Sequence, residues 1–592
     1  MQSLRARWQP LVLVVLSFMA YANSLQGGYF ILDDESSILG NFDIHQIFPL
    51  WREAERSSSP AVTNRPVLRL SLALNYAWDQ YEFAGYRLVN IGIHLLCGLA
   101  LYAVGRRALL SPVFAERYNG IARELALAIA LIWLVHPLNT QCVNHTIQRS
   151  TSLMGLWYLL ALLCVQRGIA ADGNRWYAAA VAACALGMGT KEAMVTAPVA
   201  VLLYDRTFVA GSFGRALIER KGLYAGLAST WILLAILVSS NPHGTSIDLS
   251  QPTIMWHYAL NQARIIPEHY VFPLFWPSLL TNFYGPIRYT DLADVWPYAL
   301  LTCGLLAATI YALWRRPVIG FAGIWFFLLL MPTSSVAAIF WEAMAERRPY
   351  VAMTSVIALV VVGTYTALSH LAAQGRLSAR ALRVVCVGML AVTTLALGVR
   401  TAVRNHDYLD LERLWNGEVV YVERVIASLG EISTKVAWYH ADAYVQLARA
   451  HLAADKWDQA LALYSSILAR SPNNFKAHKW LGYAYYERQM FDEAIHHFRR
   501  VVELDPTAYS IHNVLGTLLC ERGAIDEGIG HLRRSVAIVP SYVWGHNNLG
   551  AALMLQGNTQ EARRHFEQAL SLAPVFAPAQ ENLKALEQNG KP

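Results

Sequence analysis

Three adjacent acids, Asp33, Asp34 and Glu35, follow the first apolar stretch of the chain by a few residues, in YFILDDESSILGN. A carboxylate placed there stays near a bilayer surface, where it can take a proton from a hydroxyl as that hydroxyl attacks an electrophilic carbon. The competing reading is local: DDES also suits the start of a short helix, whose first turn an Asp side chain caps. Lys191 lies between two apolar stretches as Gly-Thr-Lys-Glu. An ionisable group at membrane depth marks a functional site by default, and pairing with Glu192 is its plainer alternative. His94 falls mid-helix and reads as a hydrogen-bonded interior residue. The run Gly187 to Lys191 hints at a phosphate loop but lacks the spacing of one. The seven cysteines form no CxxC and no Cys/His metal pattern, which supports neither a disulfide framework nor zinc.

The elements that must position these groups are apolar helices. Of 592 residues, 55% are hydrophobic and 15% charged, and the mean hydropathy is +0.31; a soluble chain carries about 25% charged residues. Stretches long enough to span a bilayer, or nearly so, lie at about 9–26, 87–107, 122–138, 151–168, 176–190, 192–206, 222–240, 293–313, 318–334, 349–369 and 384–400. Alternating the connecting loops puts Arg106, Arg107, Arg117, Arg123, Arg167, Arg175, Arg206, Arg215, Arg220, Lys221, Arg315, Arg316, Arg376, Arg380 and Arg383 on one side, the cytoplasmic side by the positive-inside rule. The net charge of +7 is explained by these loops and not by nucleic acid. The acids at 33–35, Asn64 with Arg65, the stretch from His136 to Arg149, Lys191 with Glu192, and Glu346 to Arg348 gather on the opposite side. The basic start and the Ala20 to Ala22 triplet also fit a cleaved signal peptide, but the first stretch reads as a retained helix. Residues 251–292, rich in aromatics and prolines, read as a surface-lying or re-entrant segment.

Beyond residue 440 the chain reads as an ordinary helical protein with a period. Pro472, Pro506, Pro540 and Pro574 recur every 34 residues. Leu481-Gly482, Leu515-Gly516 and Leu549-Gly550 keep the interval, as do Ala460, Ala494, Gly528 and Ala562. That is the tetratricopeptide (TPR) signature. The units are 441–474, 475–508, 509–542 and 543–576, with a cap at 577–588. Stacked units form a superhelix with a concave face. Asn513 and Asn547 hold equivalent positions on first helices, where an amide can bond an extended peptide backbone. The expected architecture is all-α: a polytopic membrane domain over 1–400 with about eleven transmembrane helices, a helical linker over 401–440, and a TPR solenoid over 441–592.

YFILDDESSILGN, NRPVLRLSLALNYAW, YRLVNIGIHLL, WLVHPLNTQCVNHTIQRSTSLMGLWYLLALLC, ALGMGTKEAMVTAPVAVLLYD and IWFFLLLMPTSSVAAIFWEAMAERRPYVAM occur in this order. The ordered set resembles the transmembrane-and-TPR protein O-mannosyltransferases and their bacterial relatives, of the GT-C class. The sequence departs from the pattern at Arg348, Pro349, Ala352 and Met353. The resemblance implies an inverting transfer of a sugar from a polyprenyl-phosphate donor to a hydroxyl of a protein acceptor recruited by the TPR array. It makes the acidic pair the base, with Asp33 favoured over Asp34. It asks for cations on the leaving lipid phosphate, for which Lys191 and Arg347 lead and Arg65, Arg149, Arg264 and Arg348 follow. Glu35, Asn64, His136, Gln148 and Glu346 are candidates for the sugar or acceptor pocket. No cofactor is required, because carboxylates can act as base alone; a divalent metal is compatible with them but unsupported by the sequence. The partners implied are the lipid-linked donor, a protein acceptor and the bilayer. The short loops favour a bacterial inner membrane with the site and repeats in the periplasm. The alternative is a membrane scaffold that uses its TPRs to bind extracytoplasmic proteins; it would have no use for acids and bases collected on one side.

Overall fold

The computed structural model describes residues 8–45, 47–48, 62, 64–171, 173–239, 252–278, 280–281, 289, 291–332, 343–429 and 434–589, and among these there is no strand. Part of the segment 251–292, including 282–288, lies outside them. The chain divides into two units, one of Met1–Trp51 with Ser59–Asp410 and one of Arg52–Ser58 with Leu411–Pro592. The last helix of the first unit continues past residue 400 to Asp407, so the break falls at 410 and 411. The span expected as linker holds the helix Leu411–Leu429 and the start of Thr434–Ala453.

Among the described residues, eight helices of the first unit are long and apolar enough to cross a bilayer: Trp8–Leu25, Phe83–Leu109, Thr146–Ala171, Glu192–Ala210, Lys221–Ser239, Trp296–Arg315, Met353–Ala373 and Ala379–Asp407. Ala122–Leu134 with Pro137–Asn144 makes a ninth, bent by 56°. The break has a local cause. Pro137 cannot donate a backbone N–H, and the His136 imidazole accepts from Leu138 N at 3.2 Å in its place. Two of the expected stretches form helices of only 15 residues, Asn174–Met188 and Pro317–Met331. The chain is an integral membrane protein, and several of its helices present apolar side chains outward, with Val392 70% and Trp314 71% exposed.

Inside the unit, polar side chains replace apolar packing at the helix crossings. Asn405, on the last helix, donates to Ala20 O and to Asn23 Oδ1, each at 2.8 Å, and accepts from Asn144 at 2.7 Å. One amide thus joins the first helix, the last helix and the segment after the bend. His94 is held mid-helix between Tyr350 OH at 2.8 Å and Leu134 O at 2.9 Å, as an interior histidine. A buried amide or imidazole with partners on every side is stable where an unpaired one costs the full desolvation penalty.

In the second unit, helix pairs follow the 34-residue period: Trp457–Arg470 completes the pair begun by Thr434–Ala453, followed by Phe475–Glu487 with Phe491–Leu504, Tyr509–Glu521 with Ile525–Ile538, and Val543–Gln556 with Thr559–Leu572. The helix Ala577–Asn589 ends the array. Each pair turns through one residue in the left-handed region: Asp455, Gln489, Gly523 and Gly557, with φ of 57°, 60°, 85° and 90°. Where helices cross, a Cβ on Gly482 or Gly550 would run into Phe498 or Phe566, whereas one on Gly516 would meet Gly528 O at 2.7 Å and Leu532 Cγ at 2.8 Å. Leu532 replaces phenylalanine in that unit and Gly528 replaces alanine, so the two helices close up backbone to backbone.

Candidate active site

Two adjacent acids take different roles. Asp34 is fully buried. Its carboxylate accepts from Ile147 N at 2.7 Å, and from Thr146 N and Ile31 N at 3.3 Å. His145 Nε2 lies 3.6 Å from it. Burial pushes the Asp34 carboxyl above its ordinary range, while His145 and the backbone N–H groups pull the other way. Asp34 therefore clamps the first loop onto residues 146 and 147. Its neighbour Asp33 is exposed, and its backbone carbonyl accepts from Ser36 Oγ at 3.3 Å. The clamp also holds Leu32 at φ 50°. A leucine rarely adopts that conformation, and such strain persists only where surrounding bonds over-determine it. Glu35, the first residue of the wide turn Glu35–Leu39, is half-buried.

The cations are anchored to the same place. Lys191 Nζ donates to Thr151 Oγ1 at 2.7 Å. Thr151 follows Ile147 by four residues at the start of Arg149–Ala171, a rise of about 6 Å on a helix. Arg65 forms a two-pronged bond to Glu192, Nε to Oε1 and Nη2 to Oε2, both at 3.1 Å. Glu192 thus serves Arg65, and the lysine next to it finds a hydroxyl. The backbone N–H of Arg347 donates to Gln141 Oε1 at 2.9 Å. Burial, then the charges of Arg347 and Arg65, hold Lys191 down to about 7, with Glu192 opposing. Three residues far apart in sequence, Arg65, Lys191 and Arg347, therefore share one neighbourhood. The segment 137–151 is the hub on which it is assembled. Gln148, 5% exposed, lies in that hub; Asn64 precedes Arg65 and is half-buried.

Other candidates belong to the scaffold. Arg149 is fully buried, and its guanidinium donates to Asn90 Oδ1 at 2.7 Å, Asn75 Oδ1 at 2.7 Å, Tyr86 O at 3.0 Å and Ser71 O at 3.2 Å. Its donors are spent on these partners of the fold. Arg264 pairs with Glu268 at 2.6 Å and packs over Tyr289 and Tyr298, each 4.7 Å from its guanidinium. Arg348 donates to Ala343 O at 2.6 Å and Tyr258 OH at 3.3 Å, pinning its own loop. His136 is fully buried, with one ring nitrogen accepting from Leu138 N and the other bonded to Leu274 O, each at 3.2 Å. Glu346, 2% exposed, lies 3.7 Å from Arg404 on the last helix, an interior ion pair. In the array, Asn513 and Asn547 are each 5% exposed and take part in a ladder: Asn548 donates to Asn513 Oδ1 at 3.2 Å, Asn547 to Asn548 Oδ1 at 3.1 Å, and Asn582 to Asn547 Oδ1 at 3.0 Å. The amides tie successive repeats together, a use that their shared phase alone did not reveal.

Thr151, Gln141 and His145 were missed from sequence. A threonine or glutamine in a polar stretch carries no signal of the partner it will hold. Among the described residues no group of three or more His, Cys, Asp or Glu is arranged to hold a metal ion.

Comparison with known proteins locates the repeats and finds partial relatives. Residues 445–509 and 486–543 match one tetratricopeptide-repeat family profile and 543–574 another. The chain carries tetratricopeptide repeats. A protein O-mannosyl-transferase of Caenorhabditis elegans is 30% identical over 161 residues, 26% of this chain and 22% of its own length. Protein O-mannosyl-transferase Tmtc1 of Drosophila melanogaster is 29% identical over 224 residues, 36% and 24% of the two chains. The human TMTC4 protein is 28% identical over 178 residues, 26% and 22%. Over part of its length this chain is similar to TMTC protein O-mannosyl-transferases. The matches span about a quarter of the length of these curated relatives. Among solved structures, MamA shares 22% identity over 25% of this chain and 81% of its own, with a TM-score of 0.24, a likeness too low to bear on the fold.

Proposed function

We propose that the chain is a GT-C membrane glycosyltransferase that moves mannose from a polyprenyl-phosphate donor to a serine or threonine hydroxyl of a protein, with inversion, on the extracytoplasmic side of a bacterial inner membrane. The observation that carries the reading is the convergence of Arg65, Lys191 and Arg347 on the helix start to which Asp34 clamps the Asp33 loop. The relatives' names supply the sugar and the protein acceptor.

Asp33 takes the proton of the acceptor hydroxyl. The oxygen attacks the anomeric carbon from the face opposite the phosphate, and the bond from that carbon to the phosphate oxygen breaks. The lipid phosphate leaves as a monoester with one more negative charge than the diester it came from. Arg65 is paired with Glu192, and Lys191, bonded only to a hydroxyl, brings its own positive charge beside that pair. A lysine held at about 7 gains its proton most readily as that extra charge develops. The TPR array holds an extended part of the acceptor on its concave face.

The test is transfer by purified protein from polyprenyl-phosphate mannose to a serine- and threonine-containing peptide. Asp33→Asn keeps size and most hydrogen bonding but cannot take the proton. It should lower kcat by about 10²–10⁴ with an unchanged melting temperature, because Asp33 is exposed. Full activity in Asp33→Asn would rule out its role as base.

A further inference from the structure

At the opposite ends of the helices that carry the site, four arginines gather, none of them paired with an acid among the described residues. Arg106 and Arg107 lie in the last turn of Phe83–Leu109, Arg167 near the end of Arg149–Ala171, and Arg175 at the start of Asn174–Met188. Gln166 Nε2 donates to Val104 O at 3.2 Å, which fixes the first two helices side by side at this level. Arg107 lies within Coulombic reach of both Arg106 and Arg167. Arg167 and Arg175 share one indole, with guanidinium carbons 4.7 Å and 5.8 Å from the Trp176 ring. The first three are half-buried and Arg175 is exposed.

Nearby loops show what this chain does with cations it neutralises itself. Arg215 pairs with Glu219 at 2.6 Å and Arg220 with Asp205 at 3.1 Å. Among the described residues no carboxylate pairs with Arg106, Arg107, Arg167 or Arg175. Helix C-termini attract single cations through the backbone dipole, but that does not offset the repulsion of four. Arg106, Arg107 and Arg167 sit at the ends of bilayer-length helices, and the cluster is backed by a tryptophan, a residue suited to the headgroup level.

We propose that this cluster is a binding site for the headgroup phosphate of an anionic glycerophospholipid. The guanidinium groups supply forked donors to the phosphate oxygens, and Trp176 packs against the arginine planes and the glycerol end of the lipid. The site is independent of the transfer reaction proposed above.

The test uses the full chain in a non-ionic detergent, titrated separately with phosphatidylglycerol, phosphatidylcholine and inorganic phosphate. Retained lipid is read by native mass spectrometry and stabilisation by the melting temperature. Phosphatidylglycerol should bind and raise the melting temperature, and the other two should do neither. Each cation near a charged headgroup contributes about a fivefold factor, so Arg107→Gln with Arg167→Gln should weaken binding about 25-fold. Arg315→Gln with Arg316→Gln, at another helix boundary, should leave it unchanged. Should the first pair of changes fail to fold, the exposed Arg175→Gln alone should cost about fivefold. Equal binding of phosphatidylcholine, equal stabilisation by inorganic phosphate, or undiminished binding in the Arg107, Arg167 and Arg175 variants would overturn the proposal.

Discussion

Lys191 offers the sharpest test of the phosphate site, because its charge changes within the working pH range. Burial and two neighbouring guanidinium groups hold its amine down to about 7. In the free protein it is mostly charged at pH 6, and about one molecule in thirty is charged at pH 8.5. A donor phosphate that binds only the charged form must restore that proton. The apparent donor affinity then falls about tenfold per pH unit above 7, about thirtyfold between pH 6 and pH 8.5. Lys191→Arg carries a charge that does not titrate, so its donor KM should be flat over the same range. The measurement is donor KM and kcat with both substrates varied, from pH 6 to 8.5. Protein stability does not confound it. A lysine depressed in the folded state binds its proton less well there than in the unfolded chain. Its contribution to stability therefore rises with pH above 7, opposite to the expected loss of donor affinity. A wild-type donor KM that stays flat, or one that climbs equally in Lys191→Arg, would remove Lys191 from the phosphate site.

Three further outcomes follow from the packing and the loop charges. Arg149→Met leaves Asn90, Asn75 and two backbone carbonyls without their donor inside the fold. It should cost about 1–3 kcal/mol for each buried acceptor left unpaired, read as lost thermal stability in detergent, and a stable but inactive variant would return Arg149 to the site. Gly516→Ala places a methyl 2.7 Å from a backbone oxygen. It should destabilise the array by about 1–3 kcal/mol, read by hydrogen exchange in 509–542, and unaltered protection there would show that the helices can part. Reporter fusions after residues 60 and 440 should both read extracytoplasmic, and opposite sides would refute the loop-charge topology.

What the sequence determined by itself is what depends on local pattern. The apolar stretches fell on helices because a run of apolar residues has no other stable form in a bilayer. The repeats were legible because every unit solves the same packing problem at the same interval, marked by Pro472, Pro506, Pro540 and Pro574. The acids at 33 and 34 stood out because charge beside an apolar helix is rare. Tertiary structure alone decided which acid is buried. That depends on the N–H groups of Thr146 and Ile147, more than a hundred residues away. It likewise decided that Glu192 serves Arg65 while Lys191 turns to Thr151, and that Arg149 is spent on the interior. An arginine looks the same in sequence whether it awaits a phosphate or fills a cage of carbonyls and amides. The difference is set by which helices meet around it, and that is a property of packing, not of spacing.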